Sequence, residues 1–162
     1  MIRDRSGASG NTPAGLLICA LLAVVTGVAA CGPRTDQVCF DRRCFTVEVV
    51  ASDPARQKGL QGRTALAADA GMLFVFPRAD RYGFWMRETL IPLDMIWLDA
   101  GRRIVHIEHQ VPPCTADPCA VYQPVSPALY VLEIAAGQAQ AQGLTEGAQA
   151  RFALDRYLKE RP

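Results

Sequence analysis

Two carboxylates, such as Asp94 and Glu133, are of the residue type that moves protons. If both faced one cavity about 5–9 Å apart, they would form a general acid/base pair. A strand position facing solvent is the simpler account of Glu133, and a salt bridge to Arg63 the simpler account of Asp94. Arg63 closes the segment Gly59-Leu60-Gln61-Gly62-Arg63. Its two glycines allow close backbone approach to a carboxylate or phosphate, and the guanidinium offers a fork for the same anion. A helix C-cap with a structural arginine is the competing account. In Phe84-Trp85-Met86, alternation puts Phe84 and Met86 on one strand face and Trp85 on the other, so Trp85 either packs as core or forms an aromatic wall beside Thr89 and Asp94. Candidate ligand-binding residues are therefore Arg63, Trp85, Thr89, Asp94 and Glu133.

Other chemistries lack their residues. There is no G-x-S-x-G or H-E-x-x-H, and Ser52 and Ser126 sit in loop-like contexts beside Asp and Pro. The glycine segment lacks the G-x-x-x-x-G-K-[ST] pattern of a nucleotide cradle. Met72 and Met86 have no Cys or His at a ligand offset, which disfavours copper. His106 and His109, three apart on a strand, point to opposite faces. No metal and no cofactor are expected. Lys+Arg 17 against Asp+Glu 16, without any run of like charge, leaves no footprint for nucleic acid.

The N-terminus reads as an address. A polar stretch carrying Arg3, Asp4 and Arg5 precedes the apolar run Ala14–Ala30. At about seventeen residues this run is at the short limit for a membrane span, and it ends in small residues without a basic stop-transfer cluster. The tetrapeptide Val28-Ala29-Ala30-Cys31 resembles the bacterial lipobox, in which a small residue precedes a cysteine that is acylated before cleavage. The resemblance implies a lipoprotein signal peptide over 1–30, with Cys31 as lipid anchor on a bacterial envelope membrane and the chain facing the periplasm. Gly32 in place of an aspartate favours the outer membrane. Removing Met1–Ala30 takes away two arginines and one aspartate, leaving a formally neutral remainder held by acyl chains and not by charge.

Four cysteines remain once Cys19 leaves with the signal and Cys31 is acylated: Cys39, Cys44, Cys114 and Cys119, in two C-x4-C pairs. Four cysteines allow three connectivities. Local pairing is favoured, because Phe40–Arg43 can turn tightly and the proline-rich Pro112–Cys119 loop has little else to hold one shape. Each short bridge contributes about 2 kcal/mol and mainly local rigidity. A four-thiolate metal site and a redox dithiol fit the spacing and the oxidising compartment less well.

Positioning these groups requires a β framework. Residues 31–43 read as a tether and strand lead-in, and Cys44–Val50 as the first strand. Ser52-Asp53-Pro54 starts a short helix ending at Gly59 or Gly62. Gly71–Phe76 and Tyr82–Met86 read as buried strands, and Met95–Leu98 with Arg103–Ile107 as a hairpin about Asp99-Ala100-Gly101. Ala128–Ile134 is a strand, Gln138–Gln142 a short helix stopped by Gly143, and Ala148–Leu154 a last strand. Residues 44–155 then form one β-rich domain, an all-β sandwich or barrel with one or two short helices, and 156–162 a tail that is frayed or helical.

Gly59–Thr64, Gly71–Phe76, the string Phe84-Trp85-Met86-Arg87-Glu88-Thr89-Leu90-Ile91-Pro92-Leu93-Asp94, and Val131–Ile134 with Gly137 resemble, in order and spacing, the domain-of-unknown-function 192 (DUF192) family. The Pro113–Cys119 loop resembles that of its exported members. The resemblance implies a compact jelly-roll-like or barrel-like domain and supplies no reaction. Three readings follow: a domain binding a small molecule or envelope component in a cleft near Arg63, Trp85 and Asp94; an envelope hydrolase or transferase using carboxylate chemistry; or an adaptor for a partner protein. A pocket carboxylate with a raised pKa marks the enzyme, arginine and aromatic lining without one marks the binder, and an exposed apolar patch without a pocket marks the adaptor.

The anchor has a direct test. Cys31→Ala is expected to move the protein from the detergent phase to the aqueous phase in a detergent partition, and intact mass should lose the acyl increment; equal partition of both forms would refute lipidation.

Overall fold

Strand alternation decides where every side chain of this protein goes. The computed structural model describes residues 35–159, so the expected signal peptide over 1–30 and the expected lipid anchor Cys31 lie outside the described residues. Nine strands are present among them: β1 (Gln37–Phe40), β2 (Arg43–Val50), β3 (Ala70–Asp80), β4 (Phe84–Trp85), β5 (Leu93–Leu98), β6 (Ile104–Val111), β7 (Val121–Tyr122), β8 (Ala128–Ala135) and β9 (Ala150–Ala153). Three short helices join them: α1 (Asp53–Lys58), α2 (Gln138–Ala141) and α3 (Asp155–Lys159). Seven strands form one sheet in the order β6-β5-β8-β3-β2-β1-β9, and β4 pairs with β7 as a separate two-stranded piece. The sheet curls into a half-barrel. At one end its edges meet through a bridge between Arg103 and Gln149 and a hydrogen bond from Ile104 N to Ala148 O of 3.0 Å.

All neighbouring pairs in the sheet are antiparallel except β2 with β3. A parallel pair requires a crossover, and here residues 51–69 carry α1 and the Gly59–Arg63 segment between the two strands. The interior of the sheet, β5 and most of β8, is buried on both faces. Residues of one parity, including Phe45, Val47, Leu73, Ile96, Leu98, Leu132 and Ile134, fill the concave interior together with Ala139 and Leu144 from the α2 region. Residues of the other parity, including Met72, Phe74, Met95, Trp97 and Val131, form a second cluster on the outer face, closed by Leu60, Phe84 and Met86. Leu93–Leu98 is consequently buried at every position, which explains why this strand reads as a continuous apolar run with one aspartate.

Most expected elements are present, with three differences. Gln37–Phe40 is a strand, paired with β2 on one side and β9 on the other. The tether and lead-in assigned to 31–43 therefore includes part of the sheet. Tyr82–Met86, expected as a buried strand, pairs over Phe84 and Trp85 alone, and Trp85 is 49% exposed. Gly71–Phe76, expected as a strand, continues through Asp80 in β3. The tail takes the helical one of its two expected forms as α3, and the backbone N–H groups at Arg156 and Tyr157 donate to the buried Asp36 carboxylate at 2.9 and 3.1 Å. Both cysteine pairs lie at bonding distance: Cys39 opposite Cys44 in the β1–β2 hairpin, S–S 2.06 Å, and Cys114 with Cys119, S–S 2.08 Å.

At Gly71 of β3 there is no room toward β8: an added Cβ would stand 2.7 Å from the carbonyl oxygen of Glu133 and 3.0 Å from Ile134. The obstacle is backbone and cannot rotate away. Gly71→Ala is expected to destabilise the fold by about 1–3 kcal/mol, read from the midpoint of chemical denaturation; an unchanged midpoint would mean that the strands separate freely.

Candidate functional site

On the outer face, the crossover and the β4 segment do not meet completely, and they leave a cleft of about 860 Å³. Its walls come from two directions. α1 and its C-terminal loop supply Arg56, Lys58, Gly59 and Leu60, while β4 and the following turn supply Phe84, Trp85, Arg87, Glu88 and Thr89. Phe74 and Glu133 belong to the sheet beneath. The two walls are tied by the Gly62 N–H donating to Glu88 O at 2.9 Å, and Glu88 holds a left-handed backbone (φ 56°) in making that turn. The Met86 carbonyl accepts from Thr89 N at 3.2 Å and from Cys114 N at 3.4 Å, so the bridged 114–119 loop braces the same turn. Gly59 has φ 45°, and a Cβ there would lie 3.2 Å from the Phe74 ring.

The aromatic cover is fixed from below. Trp97 is wholly buried, and its indole N–H donates to Tyr82 O at 3.1 Å. Phe84 packs edge-on against both Trp97 and Phe74, with ring centroids 5.8 and 4.9 Å apart. Phe76 stacks on Tyr82 at 3.6 Å and carries the Arg56 guanidinium on its ring at 5.1 Å. Arg56 is otherwise spent on the carbonyls of Ala51 and Val75 and on Asp53. Arg87 sits over the Trp85 ring at 5.6 Å.

Glu133 dominates the chemistry. It lies in register with Met72 on one side and Met95 on the other, both buried. Its side chain is 5% exposed, and it makes no hydrogen bond or ion pair with any described residue. Burial penalises the charged form and pushes the carboxyl from 4.5 up to about 8. Solvent exposure, the simpler account of Glu133, is therefore wrong: α1, Leu60 and the β4 turn cover a position that alternation alone would leave open.

The remaining predicted residues separate. Trp85 and Thr89 line the same cleft as Glu133, Trp85 at the rim and Thr89 buried. Arg63 is not among the lining residues; its Nη2 meets both Glu48 carboxylate oxygens at 2.7 Å. Asp94 is fully buried on the opposite face of the sheet, where it accepts from the backbone N–H groups of Gln110 at 2.7 Å and Ala139 at 2.8 Å. It thus pins the irregular end of β6 and the start of α2. Neither an Arg63–Asp94 salt bridge nor an Asp94–Glu133 acid/base pair exists, since Asp94 stands opposite Ile134 and Glu133 opposite Met95. The cleft expected near Arg63, Trp85 and Asp94 is centred instead on Glu133. Leu60, Phe74 and Phe84 were not singled out in the sequence; their signal is apolar periodicity, which core residues share. Among the described residues no three of His, Cys, Asp and Glu come together as a metal site, and no helix is long and apolar enough to cross a membrane.

Residues 37–152 match the model of DUF192, described as an uncharacterized ACR. The chain belongs to the DUF192 family. Two solved structures resemble this DUF192 chain. A protein of unknown function from Novosphingobium aromaticivorans DSM 12444 is 32% identical, with a TM-score of 0.66 over 72% of this chain and 83% of its own. A protein from Sinorhizobium meliloti 1021, provisionally named a transcription regulator, is 28% identical, with a TM-score of 0.66 over 73% of this chain and 92% of its own. No curated protein matches.

Glu133 has a thermodynamic signature. A carboxyl whose folded pKa is about 8 against 4.5 unfolded contributes stability that is fully present below pH 4.5 and lost as pH rises through 8. The loss is on the order of 4–5 kcal/mol. Glu133→Gln is expected to remove that slope between pH 5 and 8 in denaturation series and to be the more stable form at pH 8; parallel profiles would show that Glu133 is solvated.

Proposed function

We propose that this DUF192 domain is a small-molecule binding domain of the bacterial envelope, with its ligand held in the cleft over Glu133. The observation that carries this reading is a carboxyl that is almost fully buried, has no partner among the described residues, and lies in an 860 Å³ cleft whose walls combine aromatic rings and Leu60 with polar side chains of α1 and of the turn after β4. Such a group costs stability and gives no packing in return. A ligand that hydrogen-bonds it recovers that cost, which makes the orphaned carboxyl a specificity element. The half-exposed Trp85 supplies a broad apolar surface at the mouth. The envelope placement rests on the lipobox-like Val28–Cys31 and on two cysteine pairs at disulfide distance, which suit an oxidising compartment.

One observation favours a second reading. A pocket carboxyl with a raised pKa is the mark expected of an enzyme, and Glu133 carries it, so the cleft also fits an envelope hydrolase or transferase. The reading ranks second because the companion carboxylate, Asp94, is on the other side of the sheet and fully engaged.

Native mass spectrometry of the full chain, extracted gently from cell envelopes, tests both. A bound mass present in the wild type and absent from Glu133→Gln and Trp85→Ala is expected. Identical spectra from the three proteins would overturn the binding site, whereas conversion of the released compound to a new mass by wild type and not by Glu133→Gln would establish the enzyme.

A further inference from the structure

Resting on the cleft assigned above, we infer that the group held against Glu133 is a cationic amine, carried on a small molecule with an apolar body. The argument starts from what the protein leaves undone. Glu133 lies between two thioethers, Met72 and Met95, under a lining of Leu60, Phe74 and Phe84, and none of these can donate a hydrogen bond. Of the cations lining the cleft, the half-buried Arg56 is directed to the carbonyls of Ala51 and Val75, to Asp53 and to the Phe76 ring, and none is paired with Glu133 among the described residues. The compensating charge must therefore arrive with the ligand. A neutral hydroxyl or amide pairs with the protonated carboxyl, but only a cation offsets the desolvation of its ionised form. An anion at the same depth would meet a carboxylate and no free donor. The walls suit the rest of such a molecule, because π faces attract ammonium groups and accept hydrocarbon, and the Trp85 ring already receives a cation from Arg87.

At the mouth two cations stand against one carboxylate, and the floor is left to Glu133. Lys58 on α1 and Arg87 on the turn after β4 face Glu88 across the rim. In the same cross-strand row, Glu48 lies beyond Met72 and is held by Arg63, while Glu108 lies beyond Met95 and is held by His106 at 3.0 Å. Tyr82 is the remaining titratable group of the lining. An alkylammonium, like a lysine side chain, stays charged to about pH 10, so below that limit Glu133 governs the pH dependence of amine binding.

The probes are 2-phenylethylamine and its neutral isostere 2-phenylethanol, titrated calorimetrically into the full chain in detergent micelles, with Glu133→Gln in matched micelles as control. The amine is expected to bind at least about tenfold more tightly than the alcohol and to lose that advantage in Glu133→Gln. Its affinity should rise about tenfold from pH 6 to pH 7 and level off above pH 8, as the free carboxyl becomes ionised before binding. Equal binding of the two probes, or an amine affinity that is flat or falls with pH, would overturn the amine and leave the cleft standing. Heat that is identical for wild type and Glu133→Gln with both probes would overturn the cleft along with it.

Discussion

Sheet strands buried on both faces have no neutral place for a carboxylate, and in β5 and β8 this constraint organises the molecule. β5 and β8 run through the middle of the sheet, so each inward-pointing or outward-pointing residue enters one of two apolar clusters. Asp94 and Glu133 occupy nearly equivalent depths on these neighbouring strands, yet alternation sends them to opposite faces. On the concave side Asp94 finds two backbone donors, one at the irregular end of β6 and one at the start of α2, and becomes a fastener. On the outer side Glu133 finds thioethers and rings. The same residue chemistry at the same depth is thus structural in one place and reactive in the other, and the difference lies in the donors each face supplies.

The outer face is a closed core that stops short of closing over Glu133. Its cover descends from the parallel pairing of β2 and β3, which forces the chain across the sheet and lays α1 and Leu60 on it. The second half of the cover is anchored by the Trp97 hydrogen bond to Tyr82 and by the turn that the 114–119 loop braces at Met86. Each wall is fixed by backbone contacts, and they join through Gly62 and Glu88. A cleft held by such contacts is preformed, which reduces the ordering cost of any occupant.

Much of the framework was legible in the sequence because turn residues and period-2 runs are local signals. The β5–β6 hairpin, α1 with its proline start, β8 and the glycine-stopped α2 all follow from them. The cysteine pairing was legible for the same reason, since four intervening residues leave few ways to close a loop. What was not legible depended on contacts distant in sequence. β1 is short and acquires its partners from β2 and from β9 at the far end of the domain. The parallel β2–β3 pair is invisible in a chain whose composition speaks for hairpins. At the site, Trp85 and Thr89 were identified and Glu133 was named without its environment. Arg63 and Asp94 were grouped with them on residue type alone, and residue type does not say which face of a sheet, or which counter-ion, a side chain will find.

The burial of Glu133 bears on function through its cost. A domain of this size is stable by about 5–15 kcal/mol, and an ionised Glu133 in its present surroundings would consume a sizeable part of that. A leucine at the same position would remove the cost and would extend the apolar cluster of Met72, Met95 and Val131 without interruption. Packing therefore gives no reason for the carboxyl, and neither does a buried network, because Glu133 joins none among the described residues. Stability lost at a position that opens into a preformed cleft is the pattern of a site whose energetics are completed by something outside the chain.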